Sequence, residues 1–299
     1  MTRGVLVMAY GTPRDLDDVE PYYTDIRRGR PPTPEQLEEL TARYAAIGGR
    51  SPLLEMTEAQ AKGIAERTGV TTFIGQKHAA PFIPDAIAAM AADGVHEAVG
   101  LVLAPHFSTM SIGDYERRVE AAGAEAGWAG SVAMVRSWHL EPGYLDFLQG
   151  ALEDALGRVG GPDGTTVLFT AHSLPRRILE AGDPYPDQLA ETSSAVADRC
   201  GLSSWQVGWQ SAGRTADPWL GPDVLEILED LASKGARAVV VCPCGFVADH
   251  LEVLYDLDIE ASARAEELGV AFARTRSPND DPGFLDALAA VVMRRFEEG

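Results

Sequence analysis

The sequence contains few cysteines, no long apolar run and fewer basic than acidic residues. Three cysteines among 299 residues are too few, and odd in number, for a disulfide framework, and they fit a reducing compartment. No apolar run approaches the roughly 20 residues that a membrane-spanning helix needs. The opening MTRGVLVMAYG lacks the pattern of a secretory leader. We therefore expect a cytoplasmic protein without stable membrane association.

The deficit of basic residues limits the partners that the surface can attract. Lys and Arg number 25 against 45 Asp and Glu, a net charge of −20 at pH 7. Such a surface repels nucleic acid and anionic lipid and attracts cations. The glycine-rich motifs that bind dinucleotides or triphosphates after a strand are also missing. These absences exclude nucleic-acid partners and leave small molecules and metal ions as candidate ligands.

The chain contains an internal repeat. VLVMAYGTP (5–13) aligns with VLFTAHSLP (167–175), VAMVRS (132–137) with VAFART (270–275), and EPGYLDFL (141–148) with DPGFLDAL (281–288). The offset between the aligned segments falls from 162 to 138 residues, which predicts 24 extra residues in the first half, between Pro13 and Pro84. Several matches in one order indicate a duplication.

Each half reads as apolar strands that alternate with helices. Continuous apolar strands of this kind are typical of buried parallel sheet covered by helices on both faces. We expect an α/β protein with two similar Rossmann-like, doubly wound lobes, residues 1–159 and 160–299, and a final helix that packs across on the first lobe. Ligands of such sheets bind beyond the carboxyl ends of the strands. The sequence therefore predicts a site in the cleft between the lobes.

Polar residues at the predicted strand ends are the candidate site residues. Tyr10 and His172 occupy equivalent positions in the repeat, so we expect both to face the cleft. Glu252, Asp256 and Glu260 recur every four residues after the strand that ends near Cys242, and an α-helix would carry them on one face. Such carboxylates, with a histidine, suit a hydrated divalent cation or ferrous iron. A solvated acidic face is the alternative interpretation.

Other candidates carry weaker patterns. His78 and His106 end predicted strands, whereas His96, His139 and His250 show no positional pattern. The extra segment of the first half concentrates arginines, which are natural partners of carboxylates; a solvated basic loop is the alternative. Buried core positions are the better interpretation of Cys242 and Cys244.

Taken in order, these motifs resemble the ferrochelatases. The resemblance rests on MAYGTP, RYAAIGGRSPL, IGQKHAAPF, LAPHFS, TAHSLP, GDPYPDQ and GFVADHLEVLYD, and it is closest to the soluble type of Gram-positive bacteria. It implies two Rossmann-like lobes with a tetrapyrrole in the cleft and the insertion of Fe²⁺, a substrate, into it.

The resemblance also implies roles for individual residues. His172 and Glu252 would be the catalytic pair and metal ligands on one face of the macrocycle, and Tyr10 would contact the porphyrin from the other face and ligate the product iron. Asp256 and Glu260 would form an outer metal site. The porphyrin carboxylates would meet Arg27 and Ser51, with Arg43 and Tyr115 as further candidates.

The chemistry fits these residue types, because insertion must remove two pyrrole protons, which needs a base that is neutral near pH 7, such as an imidazole. We expect no permanently bound cofactor and no [2Fe–2S] cluster, because the sequence lacks the cysteine-bearing extension of cluster-containing ferrochelatases. The arginine-rich segment in place of an apolar lip favours coproporphyrin III over protoporphyrin IX. We also expect a monomer that hands its product transiently to a coproheme decarboxylase. The alternatives are a protoporphyrin enzyme, a chelatase for cobalt or nickel, and a porphyrin or haem carrier without catalysis.

Overall fold

The computed structural model describes residues 2–213, 215 and 217–298. Its strands are short; the four in the interior of the sheets are mostly buried, and the four at the edges are partly exposed. The strands are β1 (Thr2–Ala9), β2 (Thr71–Gln76), β3 (Val95–Val102), β4 (Ser131–Val135), β5 (Thr165–His172), β6 (Trp205–Gln210), β7 (Ala238–Cys242) and β8 (Ala271–Arg274).

Helices connect and cover these strands. They are α1 (Val19–Ile26), α2 (Pro34–Ala46), α3 (Leu53–Thr68), α4 (Ile83–Ala92), α5 (Ile112–Glu125), α6 (Pro142–Arg158), α7 (Arg177–Glu180), α8 (Tyr185–Cys200), α9 (Val224–Ser233), α10 (Leu251–Val253), α11 (Ser262–Leu268) and α12 (Pro282–Glu297). A 3₁₀ turn (Leu16–Asp18) precedes α1, and a π-helix (Leu254–Ala261) joins α10 to α11. Among the described residues, no helix is both long and apolar enough to cross a membrane.

The strands form two four-stranded parallel sheets with the same connectivity. The orders are β2-β1-β3-β4 and β6-β5-β7-β8, with every pairing parallel. In each sheet the first strand of that half of the chain, β1 or β5, is an interior strand. The predicted fold class, two Rossmann-like α/β lobes that arose by duplication, is confirmed.

The strand registers correct the predicted alignment of the repeat. Leu6 pairs with Gly100 and Leu168 with Val241. Because Leu6 and Leu168 are equivalent, Gly100 corresponds to Val241, an offset of 141 residues rather than 138. The first half therefore has 21 extra residues up to this strand, not 24. The error lies in the match of VAMVRS with VAFART: Gly100 pairs with Met134 and Val241 with Arg274, so the true alignment is displaced from the predicted one by two residues. Before this strand the structure equates Pro81 with Pro222, whose carbonyls accept the N–H groups of Gln76 and Trp209.

The extra residues lie in the first connection of the first half. Between β1 and α3 the chain forms α1 and α2, whereas the equivalent connection between β5 and α8 contains only α7. Local sequence explains where α2 begins: the Thr33 side chain accepts the backbone N–H of Gln36, and the Gln36 side chain accepts that of Thr33. This capping box and Pro34 at the first helical position fix the start of the helix.

The last helix of each half packs on the other half. α6 contacts α8, β7 and β8, and α12 contacts α3, β3 and β4. A buried cluster that runs through both halves includes Tyr144 and Leu152 of α6 and Phe284 and Leu288 of α12. Each sheet is therefore covered on one face by a helix from the opposite half of the sequence. The division into units at residue 159/160 stays a prediction.

Candidate functional site

A cleft of about 810 Å³ opens between the carboxyl ends of the two sheets. Seven of the nine predicted site residues line it: Tyr10, Arg27, Arg43, Ser51, Tyr115, His172 and Glu252. Asp256 and Glu260 are not part of its lining. Both halves contribute to the walls, as expected for a site at the carboxyl ends of parallel strands.

His172 and Glu252 form an ion pair in the wall of the cleft. The distance between Nε2 of His172 and Oε1 of Glu252 is 3.4 Å. His172 ends β5, its Nδ1 donates to the Ser173 carbonyl, and its own carbonyl accepts the Tyr185 hydroxyl at 3.0 Å. The backbone around the imidazole thus fixes the orientation of the ring, and Nε2 is directed towards the carboxylate.

The protonation of this pair differs from the expectation of a neutral base. Burial alone would lower the pKa of His172, but the charge of Glu252 and the hydrogen bond between the two side chains outweigh it and raise the pKa. Burial alone would raise the pKa of Glu252, but His172 and His250 together outweigh it and lower the pKa. In the structure as described, the pair is an imidazolium and a carboxylate at neutral pH, so His172 must lose a proton before it can act as a base.

His250 is a site residue that the sequence reasoning missed. Its Nε2 lies 3.6 Å from Oε2 of Glu252, and its Nδ1 donates to the Ala248 carbonyl at 2.9 Å. Each oxygen of Glu252 therefore has a histidine beside it. The only pattern that could have indicated His250 is its position two residues before Glu252. No cluster of three or more His, Cys, Asp or Glu side chains placed to hold a metal ion occurs among residues 2–213, 215 and 217–298.

Trp219 and Ser211 also went unassigned from the sequence. Both line the cleft, and the Trp219 ring lies 6.5 Å from that of His172. Ser211 has a positive φ of 60°, which is uncommon for a serine. Trp219 belongs to the stretch DPWLGP (217–222), to which the sequence patterns assigned no role.

Tyr10 lies at the equivalent strand end of the first half, in different surroundings. About 43% of its surface is exposed, and this surface faces the cleft. Its burial between the walls raises its pKa, and the Glu252 charge adds to the effect. The His78 ring packs at 4.6 Å and the Lys77 ammonium lies 5.8 Å from the ring centre. At neutral pH Tyr10 is therefore a protonated phenol beside a cation.

Lys77 and His78, at the end of β2, are themselves held by carboxylates. Lys77 Nζ lies 2.6 Å from Asp114, and His78 Nδ1 lies 2.7 Å from Asp25 in α1. Burial lowers the pKa of Lys77, and it lowers that of His78 to about 4 despite Asp25. His78 is thus neutral and ties the α1 segment to the Tyr10 side of the cleft.

The four residues predicted to bind porphyrin carboxylates all line the cleft, but they differ in burial and in the partners that they already have. Arg27 caps the end of α1, bonds the Arg30 carbonyl at 3.2 Å and lies over the Tyr23 ring. Ser51 and Tyr115 are almost fully buried, 4% exposed each. Arg43 pairs with Asp256 and stacks on the Tyr255 ring, and its Nε has no partner among the described residues. The charge of Arg43 is thus partly compensated by the protein.

The acidic stripe does not form the single α-helical face expected from its spacing. Residues Leu254–Ala261 form a π-helix, in which backbone bonds span five residues. Asp256 is buried, 6% exposed, and contacts both Arg43 and the hydroxyl of Ser211, whereas Glu260 is exposed. Burial raises the pKa of Asp256 to about 6, although Arg43 opposes this shift. The carboxylates near Glu252 therefore differ in exposure and partner.

The cysteines lie away from the cleft lining. Cys242 and Cys244 are fully buried, and burial raises the pKa of Cys244 well above its ordinary value. Cys200 is partly exposed, and burial raises its pKa to about 11. The thiols of Cys200 and Cys244 are therefore protonated at neutral pH, and Cys242 is a core residue.

Known proteins similar to this chain are ferrochelatases. The family model described as Ferrochelatase matches residues 2–296. A coproporphyrin III ferrochelatase of Bacillus pumilus is 47% identical over 99% of this chain and 97% of its own length, and that of Bacillus subtilis is 45% identical over 98% and 97%. A relative from Herpetosiphon aurantiacus, named ferrochelatase, is 45% identical over 96% of this chain and 97% of its length.

Solved structures show the same fold at much lower identity. SirB from Bacillus subtilis has a TM-score of 0.64 at 11% identity and covers 99% of this chain and 96% of its own. DR2241 from Deinococcus radiodurans, described as similar to chelatases, has a TM-score of 0.54 at 11% identity and covers 97% of this chain and 55% of its own. The structures support the architecture, and the sequence matches identify the chain as a member of the ferrochelatase family.

Proposed function

We propose that this chain inserts Fe²⁺ into coproporphyrin III and releases coproheme. The observation that carries the proposal is the polarised cleft: an imidazole–carboxylate pair on one side, and arginine, tyrosine and serine side chains on the other. The coproporphyrin III ferrochelatases of Bacillus, which are 45–47% identical, support the choice of substrate.

The reaction exchanges two pyrrole protons for one iron ion. Each N–H bond that breaks leaves its electron pair on nitrogen, where the pair bonds to Fe²⁺, so two protons must leave the cleft. In the proposal His172 accepts a pyrrole proton and, with Glu252, meets the incoming metal. The imidazolium must first release its own proton to solvent, which becomes easier once the ion pair has opened or the carboxylate of Glu252 has bound Fe²⁺.

Binding of the macrocycle uses the other lining residues. Arg27 and Ser51, with Arg43 and Tyr115, would bind the carboxylates of the substrate, since charged donors bind carboxylates more strongly than neutral ones. Tyr10 would ligate the iron of the product from the opposite face. Asp256 and Glu260, on the π-helix beyond Glu252, would hold hydrated metal outside the cleft.

Further expectations belong to the same proposal and remain untested. They are a monomeric, cytoplasmic enzyme without a permanently bound cofactor or [2Fe–2S] cluster, and a transient hand-over of product to a coproheme decarboxylase. Protoporphyrin IX as the substrate is the second candidate, because one similar relative is named only ferrochelatase.

An anaerobic assay with both porphyrins tests the proposal. Fe²⁺ is added to the protein with an excess of coproporphyrin III, or of protoporphyrin IX kept monomeric in detergent, and the Soret band is followed. We expect many turnovers and a higher kcat/KM with coproporphyrin. Equal or better kcat/KM with protoporphyrin would reverse the choice of substrate, and a single equivalent of product would favour a carrier.

A further inference from the structure

The loop between β8 and α12 contains a residue in an uncommon backbone conformation. Asn279 has a φ of 48°, in the left-handed region, which asparagine tolerates better than most residues. Such conformations persist where the surrounding contacts fix them, and they cluster at functional sites. The contacts of Asn279 therefore indicate which part of the structure depends on this conformation.

Asn279 bonds the segment that leads into His250 and Glu252. Its Oδ1 accepts the backbone N–H of Asp249 at 2.8 Å, and its Nδ2 donates to Oδ2 of Asp249 at 2.9 Å. Its own N–H donates to the Val247 carbonyl at 3.0 Å. One residue thus makes three hydrogen bonds to residues 247–249, immediately before the two site residues.

Gln60 extends this network to the other half of the molecule. Gln60 lies in α3, is fully buried and lines the cleft. Its Nε2 donates to the Asn279 carbonyl at 2.7 Å and to the Val247 carbonyl at 3.1 Å. The two backbone segments that meet at Asn279 are therefore held together from the first half.

Asp249 receives its remaining bonds from the same side. Oδ1 accepts the Ser277 hydroxyl at 2.8 Å and lies 3.1 Å from the Arg274 guanidinium. These side-chain contacts of Asp249, with Asn279, Ser277 and Arg274, all run to β8 or to the loop that follows it. Asp249 thus anchors its segment to that loop rather than to the cleft.

We propose that Asn279, supported by Gln60, is a positioning residue for the metal-binding end of the cleft, because it fixes the segment that places His250 and Glu252. The inference rests on the proposed function, in which Glu252 meets the metal. Ligands of a metal in transit must be held within a fraction of an ångström, and that precision comes from the hydrogen bonds behind them. Tyr10, Arg27 and Ser51 belong to other segments, so we expect their contacts with the porphyrin to change little when the Asn279 side chain is removed.

Asn279→Gly removes only the side chain, because glycine adopts a positive φ without strain and keeps the backbone hydrogen bond to the Val247 carbonyl. The matched control is Asp280→Ala, which changes the exposed neighbour in the same loop. Steady-state metalation is measured against Fe²⁺ and against porphyrin, with porphyrin affinity from the quenching of tryptophan fluorescence. We expect Asn279→Gly to lower kcat/KM for Fe²⁺ about tenfold, as expected for two lost hydrogen bonds, with porphyrin Kd within about twofold.

A paired exchange distinguishes positioning from a general loss of structure. Asn279→Asp places a carboxylate against Asp249 and should lower kcat/KM for Fe²⁺ further, and adding Asp249→Asn restores an amide–carboxylate pair and should recover part of the loss. Asn279→Gly with unchanged Fe²⁺ kinetics, an equal loss of porphyrin affinity, or no recovery in the double variant would each overturn the inference. If the unaltered protein does not metalate any porphyrin, the proposed function fails instead.

Discussion

The first strands of the two halves end in one cleft but in opposite electrostatic surroundings. Tyr10 has Lys77 beside its ring and a neutral His78 against it. His172, at the equivalent position, faces Glu252, and His250 lies on the far side of that carboxylate. The repeated fold therefore supplies two equivalent positions, and the residues at the neighbouring strand ends make them different. The carboxylate beside His172 attracts a cation, whereas Tyr10 is held as a protonated phenol.

Replacing the two strand-end residues, one at a time, should give the largest effects and so tests this asymmetry most strongly. His172→Ala should reduce metalation by roughly 10²–10⁴-fold, the usual contribution of a general base, while porphyrin still binds. Tyr10→Phe should keep the rate within about tenfold, because no proton acceptor is lost, and should alter the Soret band of bound product. Both are measured by anaerobic turnover and porphyrin titration. More than a tenth of the original rate in His172→Ala would contradict the assignment.

Variants of the residues proposed to bind the substrate carboxylates should separate substrate choice from the chemistry of metal insertion. Arg27→Gln combined with Ser51→Ala should lower kcat/KM for coproporphyrin roughly a hundredfold, since bonds to a charged carboxylate contribute about 1.5–3 kcal/mol each. The loss should be smaller with protoporphyrin, which has fewer carboxylates. Arg264→Gln, a surface arginine paired with Glu229 and Glu267, serves as the control. Equal losses with both porphyrins would show that these residues do not select the substrate.

The stability contributions of His78 and His106, in the first half, and of His172, in the second, should depend on pH with opposite signs. Burial lowers the pKa of His78 to about 4 and that of His106 to about 3, against about 6.5 in the unfolded chain. Because the unfolded state then binds more protons, each should cost up to about 1.4 kcal/mol of stability per pH unit as the pH falls from about 6.5 towards its folded-state value. His172, whose pKa is raised, should instead stabilise the fold below about pH 6.5 and lose that contribution as the pH rises.

Urea unfolding of the original protein and of His106→Gln between pH 7.5 and 5 measures the effect. His106→Gln removes one buried neutral imidazole, whose Nε2 lies 2.9 Å from the Thr192 hydroxyl, so its stability should fall less steeply with decreasing pH. Parallel pH profiles for the two proteins would show that His106 does not titrate as inferred.

Sequence patterns predicted the features that depend on local order. Continuous apolar runs gave the strands, and the repeat gave the equivalence of Tyr10 and His172. Sequence patterns failed where a contact depends on distant residues. The pairing of Arg43 with Asp256 joins the first half to the second. The place of His250 in the site depends on the conformation of the loop before it, where its ring bonds the Ala248 carbonyl. The π-helix was missed because the α-helical and π-helical spacings of Glu252, Asp256 and Glu260 look alike in sequence.

The exchange of α6 and α12 between the halves has a consequence for synthesis. The ribosome releases the first sheet well before α12, the helix that packs on α3 and β4. Part of the apolar surface of the first half therefore stays uncovered until α12, Pro282–Glu297, has been made. Conversely, α6 is synthesised before β7 and β8, the strands on which it packs. The first half is therefore synthesised first, but its packing is complete only after that of the second half.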